Sequence, residues 1–446
     1  MEQITKPHCG ARLDRLPDCR WHSSMFAIVA FGLLVCWSNA VGGLILAQLK
    51  ELGWTDNSTT ATFSAITTAG MFLGALVGGI IGDKTGRRNA FILYEAIHIA
   101  SMVIGAFSPN MDFLIACRFV MGVGLGALLV TLFAGFTEYM PGRNRGTWSS
   151  RVSFIGNWSY PLCSLIAMGL TPLISAEWNW RVQLLIPAIL SLIATALAWR
   201  YFPESPRWLE SRGRYQEAEK VMRSIEEGVI RQTGKPLPPV VIADDGKAPQ
   251  AVPYSALLTG VLLKRVILGS CVLIAMNVVQ YTLINWLPTI FMTQGINLKD
   301  SIVLNTMSMF GAPFGIFIAM LVMDKIPRKT MGVGLLILIA VLGYIYSLQT
   351  SMLLITLIGF FLITFVYMYV CYASAVYVPE IWPTEAKLRG SGLANAVGRI
   401  SGIAAPYAVA VLLSSYGVTG VFILLGAVSI IVAIAIATIG IETKGV

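Results

Sequence analysis

Gly79-Ile80-Ile81-Gly82-Asp83-Lys84-Thr85-Gly86-Arg87-Arg88 stands between two long apolar runs, residues 61–82 and 89–107. Two opposite charges, a turn glycine and two further arginines make a short polar hinge between segments of membrane length. Arginine enters hydrocarbon only at high cost, Gly86 permits a tight reversal, and Asp83 can pair with a cation or cap a helix end. The pattern returns 241 residues later as Met320-Leu321-Val322-Met323-Asp324-Lys325-Ile326-Pro327-Arg328-Lys329. One hinge makes a loop, but two in register make an architecture.

Working outward, the 446 residues are 56% hydrophobic and only 12% charged, with a mean hydropathy of +0.72. Soluble domains carry about a quarter charged residues, so a soluble globular chain is excluded. Apolar stretches long enough to span a bilayer fall near 24–48, 61–82, 89–107, 112–138, 148–173, 179–202, 265–291, 301–323, 331–348, 352–380, 390–414 and 418–441. Uninterrupted apolar runs do not make the alternating strands of a barrel. The expected fold is an all-α membrane protein of 12 transmembrane helices in two six-helix bundles.

The net charge of +9 does not indicate nucleic acid, because of where it lies. Of 32 Lys and Arg residues, 28 fall in the tails and in the segments around alternate connections, Arg399 being counted with the segment 387–399; Lys50, Arg118, Arg181 and Lys299 are the other four. That asymmetry is the positive-inside rule, and it places both termini in the cytoplasm. Residues 1–23 read as a cytoplasmic tail, 24–202 as one bundle, 203–264 as a cytoplasmic linker, 265–441 as the second bundle and 442–446 as a tail. No cleavable leader is expected, since the first apolar run is too long for one. Within the linker, Leu209, Ala218, Val221, Met222 and Ile225 have amphipathic helical spacing around Arg212 to Glu227. Pro236, Pro238, Pro239, Pro249 and Pro253 make the remainder an extended connection. The seven cysteines form no CxxC or Cys/His pattern, so no metal or other cofactor is expected. Asn57-Ser58-Thr59 is a formal glycosylation sequon.

The halves repeat at a second place. Glu138-Tyr139-Met140-Pro141-Gly142-Arg143-Asn144-Arg145-Gly146 parallels Glu380-Ile381-Trp382-Pro383 followed by Lys387, Arg389 and Gly390. A duplicated six-helix unit with matching charged loops argues for two bundles facing one another across a pathway.

These stretches resemble the major facilitator superfamily, over the whole chain. Gly79, Asp83, Lys84, Gly86, Arg87 and Arg88 match its G-x-x-x-D-[RK]-x-G-R-[RK] hinge motif, and the second copy departs at Met320 and Pro327. Arg118-Phe119-Val120-Met121-Gly122-Val123-Gly124-Leu125-Gly126 is similar to its fourth-helix motif. Pro203-Glu204-Ser205-Pro206-Arg207-Trp208-Leu209 resembles the sugar-porter signature after helix six, and Ile441-Glu442-Thr443-Lys444-Gly445 resembles that group's tail with the proline lost. Two departures bear on substrate. Proton-linked sugar porters carry an Asp in helix one, where this chain reads Cys36-Trp37-Ser38-Asn39-Ala40-Val41. Their seventh helix begins with paired glutamines, where this chain has Met276-Asn277. Trp286-Leu287-Pro288-Thr289 and Gly398-Arg399-Ile400 are more similar to organic-acid and organic-ion branches. The resemblance implies a bacterial inner-membrane metabolite transporter of sugar-porter type.

Candidate site residues follow from depth. Arg399 lies nine residues past Gly390, about 14 Å into the bilayer, with Asn395 and Gly402 on its face. An intramembrane arginine needs water, carbonyls or an acid, and it reads either as a structural cap or as the receptor for an anionic ligand. Asn277, Tyr281 and Asn285 recur at i, i+4 and i+8 on helix seven, with Gln280 beside them; they glue helices or bind substrate. Asn39 on helix one, and Ser153, Asn157, Trp158 and Ser164 on helix five, are weaker members of the set. Tyr367, Tyr369, Tyr372 and Tyr377 on helix ten read as core or as a gate. Arg118, six residues into helix four, is expected to snorkel. Glu95 and His98, about 9 Å from the other side, read first as a local pair beyond reach of Arg118 and second as a proton relay. With Glu138 they are the proton-coupling candidates. The expected cytoplasmic gate comprises Gly79, Asp83, Lys84, Gly86, Arg87, Arg88, Glu138, Arg145, Asp324, Arg328, Glu380 and Arg389.

The expected function is secondary transport by alternating access. The substrate would be a small polar metabolite leaning to a carboxylate, carried by proton symport. A neutral-sugar uniporter is the alternative, and a membrane sensor without transport the alternative from another class. No P-loop occurs, and no His/Cys/Asp cluster at one depth suggests an enzyme. A monomer in a lipid bilayer, with no nucleic-acid partner, completes the expectation.

Overall fold

The computed structural model describes residues 7–443 except 18, 142–144, 241–252, 324 and 384–385, with the side chains at 133, 134, 137, 145, 146, 387 and 388 also set aside. Among the described residues there is no strand. In the first half α1 (Cys9–Asp14), α2 (Arg20–Val35), α3 (Gly42–Glu51), α4 (Asn57–Thr85) and α5 (Arg87–Ala106) lead to α6 (Met111–Tyr139), α7 (Arg145–Asn157), α8 (Ser159–Leu170) and α9 (Ala176–Tyr201). The connection carries α10 (Pro206–Ser211), α11 (Tyr215–Thr233) and α12 (Tyr254–Leu257). The second half contains α13 (Gly260–Thr293), α14 (Leu298–Met309), α15 (Gly311–Val322), α16 (Arg328–Ser347), α17 (Met352–Cys371), α18 (Val378–Glu380) and α19 (Lys387–Ile439).

Nine helical spans among the described residues are long and apolar enough to cross a membrane. The difference from twelve lies at three places. The first apolar stretch is broken between α2 and α3, and the fifth between α7 and α8 at Trp158. The last two follow one another without a gap as α19, yet the helix is interrupted at Gly417 (φ 65°, ψ −161°), where the eleventh and twelfth apolar stretches part. Hydropathy counts apolar length and is blind to the first two breaks.

The hinge motifs stand at one end of the molecule, the hinge end. Helices α4 and α6 press together through facing glycines. A Cβ on Gly74 would overlap the Val123 carbonyl, and one on Gly126 would overlap that of Met71. Small residues that admit backbone contact are how membrane helices associate without a hydrophobic driving force. Gly124 faces the other way, 3.0 Å from the His98 backbone nitrogen to a built Cβ, so the fourth-helix glycines serve two neighbours.

The two halves meet far from the hinge end. Asn57 Nδ2 donates to Ser414 Oγ at 2.9 Å, and Asn305 Nδ2 to Ser164 Oγ at 3.1 Å. The backbone of α13 at Ile284 and Asn285 lies directly against Gly43 of α3. With Lys50 Nζ also 2.9 Å from Asn57 Oδ1, the sequon amide is engaged on both sides.

At the hinge end the N-terminal tail packs on the linker. Cys9, Leu13 and Leu16 bury against Trp208, Leu209, Ala218, Met222, Ile225 and Val229 of α10 and α11. Arg12 and Arg15 reach Glu226, at 2.7 and 2.6 Å. The linker's amphipathic helix runs Tyr215–Thr233, close to the expected span.

Candidate functional site

Between the halves, on the hinge side of the far-end contacts, lies a cavity of about 260 Å³. Its polar wall is Asn39, Ser153, Asn157, Ser159, Tyr160, Gln280, Tyr281 and Arg399. The breaks in the first and fifth stretches put polar side chains and backbone there, which a membrane helix tolerates only where it lines a cavity or is buried in protein. Arg399 makes no ion pair among the described residues. A guanidinium at this depth that faces open space, with amides and two phenols around it, is suited to receive an anionic or multiply hydroxylated molecule.

Not every expected residue is in this wall. Asn395 is exposed and donates to the Ser391 carbonyl at 2.9 Å. Asn277 is buried and donates to the Leu273 carbonyl at 2.7 Å, packed on Gly398 of α19. Asn285 is buried beside Gly42 and Gly43 of α3. The seventh-helix stripe thus divides between cavity and helix contact, since its neighbours occupy different arcs of one polar face. Trp158 faces an outer apolar groove with Phe154, Phe310, Phe314 and Phe317. Tyr160 was not anticipated; it lines the cavity and meets Tyr367 edge to face at 5.3 Å. The polar break before it is the only signal that points inward. Of the other helix-ten tyrosines, Tyr369, Tyr372 and Tyr377 are buried, the last two stacked at 5.1 Å in a π-helical turn.

Arg118 does not snorkel: it is 1% exposed. Its Nη1 donates to the Ser38 carbonyl at 2.7 Å and its Nε to Thr67 Oγ1 at 3.2 Å, with the Phe63 ring 4.6 Å away. Ser38 stands in the break between α2 and α3, where a carbonyl has lost its helical donor. The arginine therefore caps a broken membrane helix from the side. Glu95 and His98 are not isolated either. His98 Nε2 lies 2.7 Å from Ser38 Oγ, His98 Nδ1 3.4 Å from Glu95 Oε2, and Cys36 Sγ 3.9 Å from Glu95 Oε1. The structure so brings Cys36, Glu95 and His98 together, with side-chain S, O and N atoms within 4.8 Å of one another. Sequence spacing missed this trio because Cys36 comes from the break after α2 and the other two from α5.

The hinge charges close within each half, twice by the same scheme. Arg87 pairs with Asp83 at 2.6 Å and with Glu138 at 2.9 Å. Glu204 Oε1 accepts the backbone N–H groups of Arg87 at 2.8 Å and Arg88 at 3.2 Å. Ser205 Oγ donates to Glu138. In the second half Arg328 pairs with Glu380 at 3.0 Å, Glu442 accepts from the N–H groups of Arg328 and Lys329, and Thr443 donates to Glu380. Glu204 and Glu442 each sit on a helix N-terminus, where free N–H groups and the dipole hold an anion. Arg88 also donates to the Trp199 carbonyl, and Arg389 lies over the Tyr254 ring at 5.2 Å. Lys84 is exposed, and Gly79 faces open space. Asp324 and the Arg145 side chain lie outside the described residues. Glu138 belongs to this clamp and does not line the cavity.

Comparison with known proteins agrees with this geometry. The Major Facilitator Superfamily model matches residues 26–406. The chain is 44% identical to the inner membrane metabolite transport protein YdjE of Escherichia coli (strain K12), over 100% of this chain and 98% of that one. It is 25% identical to the niacin transporter NiaP of Acinetobacter baylyi, over 98% and 97%. A partially occluded, inward-open structure of the xylose transporter XylE from E. coli superposes with a TM-score of 0.75 at 18% identity, covering 96% of this chain and 99% of that one, and shows the shared fold. A hinge clamp built twice, at a spacing that divides the chain in two, thus coincides with a family match running from the first apolar stretch into the last helix: the chain belongs to the major facilitator superfamily.

Proposed function

We propose that this multi-pass inner-membrane protein carries a small, carboxylate-bearing metabolite, such as a sugar acid or an organic acid, together with protons. Secondary transport of a metabolite by alternating access follows from the family and from YdjE; the anionic substrate and the coupling are our reading. In it, twelve crossings leave both termini and both hinge clamps in the cytoplasm, and the two halves rock about the cavity. The carrying observation is Arg399: a guanidinium facing a cavity, without an acid to neutralise it among the described residues. The name of one relative adds support, since niacin is a carboxylic acid.

Asn39, Asn157, Gln280 and Tyr281 would orient the rest of the molecule by hydrogen bonds, while Asn277, Asn285, Asn395 and Trp158 act in packing or on other surfaces. The amide-rich remainder of the wall favours one second reading, a neutral sugar. A sensor that binds without moving its ligand is separated from both by flux into vesicles.

The test is Arg399→Lys, which keeps the charge and loses the bidentate fork. Thermal-shift binding of glucuronate, nicotinate and other acids should weaken about tenfold or more, the scale of a hydrogen bond to a charged group. Neutral analogues of equal size should bind parent and variant alike. A neutral sugar bound tightly by the parent, and equally by Arg399→Gln, overturns the anionic reading.

A further inference from the structure

We infer that the coupled proton is held by the buried pair Glu95–His98, and that Ser38 and Arg118 link the pair to the broken first helix that lines the cavity. The inference deepens the proton-coupled reading above and rests on it.

Both side chains are fully buried within α5. A carboxylate with so little solvation is held by few partners: Nδ1 of His98 at 3.4 Å and Sγ of Cys36 at 3.9 Å. Around the pair stand Cys36 and Ser38 from the break, Gly124 and, beyond Ser38, Arg118 from α6, and Ser191 from α9 facing Cys36. Across the cavity that Cys36 also lines are Tyr160, Tyr281 and Arg399. Arg118 has no ion-pair partner among the described residues, so Glu95 is the acid that sets the local charge. With the pair unprotonated, Glu95 and Arg118 sum to zero; one added proton leaves a net positive charge one side chain from the cavity.

Two consequences follow by electrostatics alone. A positive charge there favours an anion in the cavity, and an anion in the cavity favours the proton, with reciprocal strength. The second consequence is mechanical. Ser38 offers its hydroxyl to His98 and its carbonyl to Arg118, at 2.7 Å each. Moving a proton at His98 Nε2 or at Glu95 reorganises that hydroxyl, at the point where the first helix is already broken and where Asn39 and Ala40 meet the cavity. The chemistry is proton transfer only. Water gives the proton to the pair from one side and receives it on the other, and no other bond changes.

The experiment has a ligand-free arm and a transport arm, both on the full chain in liposomes. Infrared difference spectra across a pH titration should contain a buried carboxylic-acid band. Glu95→Gln should abolish that band, and Ser38→Ala, which keeps the acid, should shift its titration. With nicotinate and glucuronate as probes, Glu95→Gln should lower the ratio of uphill accumulation to counterflow exchange by about tenfold, within the usual range for coupled sites. Persistence of the band in Glu95→Gln, or a parent with neither a titrating carboxylic-acid band nor a titrating imidazole band that His98→Gln removes, overturns the inference. So does a Glu95→Gln protein that accumulates probe to the parent level on a proton gradient. Should a neutral sugar prove to be the cargo, with its accumulation still lost in Glu95→Gln, the relay stands and the anionic reading falls.

Discussion

Gly86 and Gly79 occupy equivalent-looking places in one motif, yet the structure separates them. Gly86 has φ 98°, a region L side chains rarely enter, and a Cβ there would overlap Glu204 Oε2. The glycine lets a carboxylate seat on the N–H groups of Arg87 and Arg88. Gly79 has nothing within 4 Å of a built Cβ. Gly86→Ala should therefore lower stability by about 1–3 kcal/mol, the usual cost of a strained backbone position. Gly79→Ala should stay within about 0.5 kcal/mol of the parent. Melting of the two variants in detergent decides it, and equal melting points would remove the clamp's dependence on Gly86. At this scale the sequence was readable where depth alone decides. Arg399 was assigned from its distance to the helix end, and it faces the cavity. Arg118 was misjudged because helical rise said nothing of a free carbonyl at Ser38, which exists only because another helix is broken there.

Among elements, periodicity is dependable for a helix and silent about its partner. The spacing of Ala218, Met222 and Ile225 announces α11, but nothing local says that Arg12, 214 residues from Glu226, docks on it. The same limit applies to the seventh-helix stripe, whose polar side chains share a face but not a neighbour. The docking of α1 has a chemical reporter. Cys9 is fully buried; burial first, then its environment around Glu210, pushes its thiol up to about 12. Burial pushes the Glu226 carboxyl up, but hydrogen bonds from Arg12 and Arg15 outweigh this and hold it below its ordinary 4.5. An acid so lowered contributes stability above that ordinary value and loses it as pH falls through the lower, folded one. Docking should thus be intact near pH 7. Glu226→Gln should raise the rate of Cys9 alkylation about tenfold or more near pH 7.5, since both access and thiolate fraction return. A Cys9→Ser control isolates the signal from Cys19, and an unchanged rate would mean that the ion pairs do not hold α1 in place.

For the whole molecule, the sequence announced a duplication through its hinges and its twelve apolar stretches. Of the three irregularities, the interruption at Gly417 falls where the last two stretches part, but the breaks at Ser38 and Trp158 were hidden, because they leave hydropathy untouched. Two of those irregularities border the cavity, so the part of the fold least legible in the sequence is the part that builds the site. What the sequence could not reveal at all is which end is closed. Here the halves are joined at the far end by Asn57 to Ser414 and Asn305 to Ser164, while the clamps at the hinge end each bind within one half. Such neutral hydrogen bonds contribute only about 1 kcal/mol each, which suits a contact that must open in every cycle. If alternating access separates the halves there, tying Asn57 to Ser414 should arrest it. The double variant Asn57→Cys/Ser414→Cys, cross-linked by mild oxidation in liposomes, should lose nearly all uptake and regain it on reduction. Each single variant should be insensitive to oxidant, which controls for the seven native cysteines. Binding of a probe acid at the cavity should survive the cross-link, since Arg399 lies on its hinge side. A fully cross-linked protein that transports at the parent rate would show that the far-end contacts are not the ones that open.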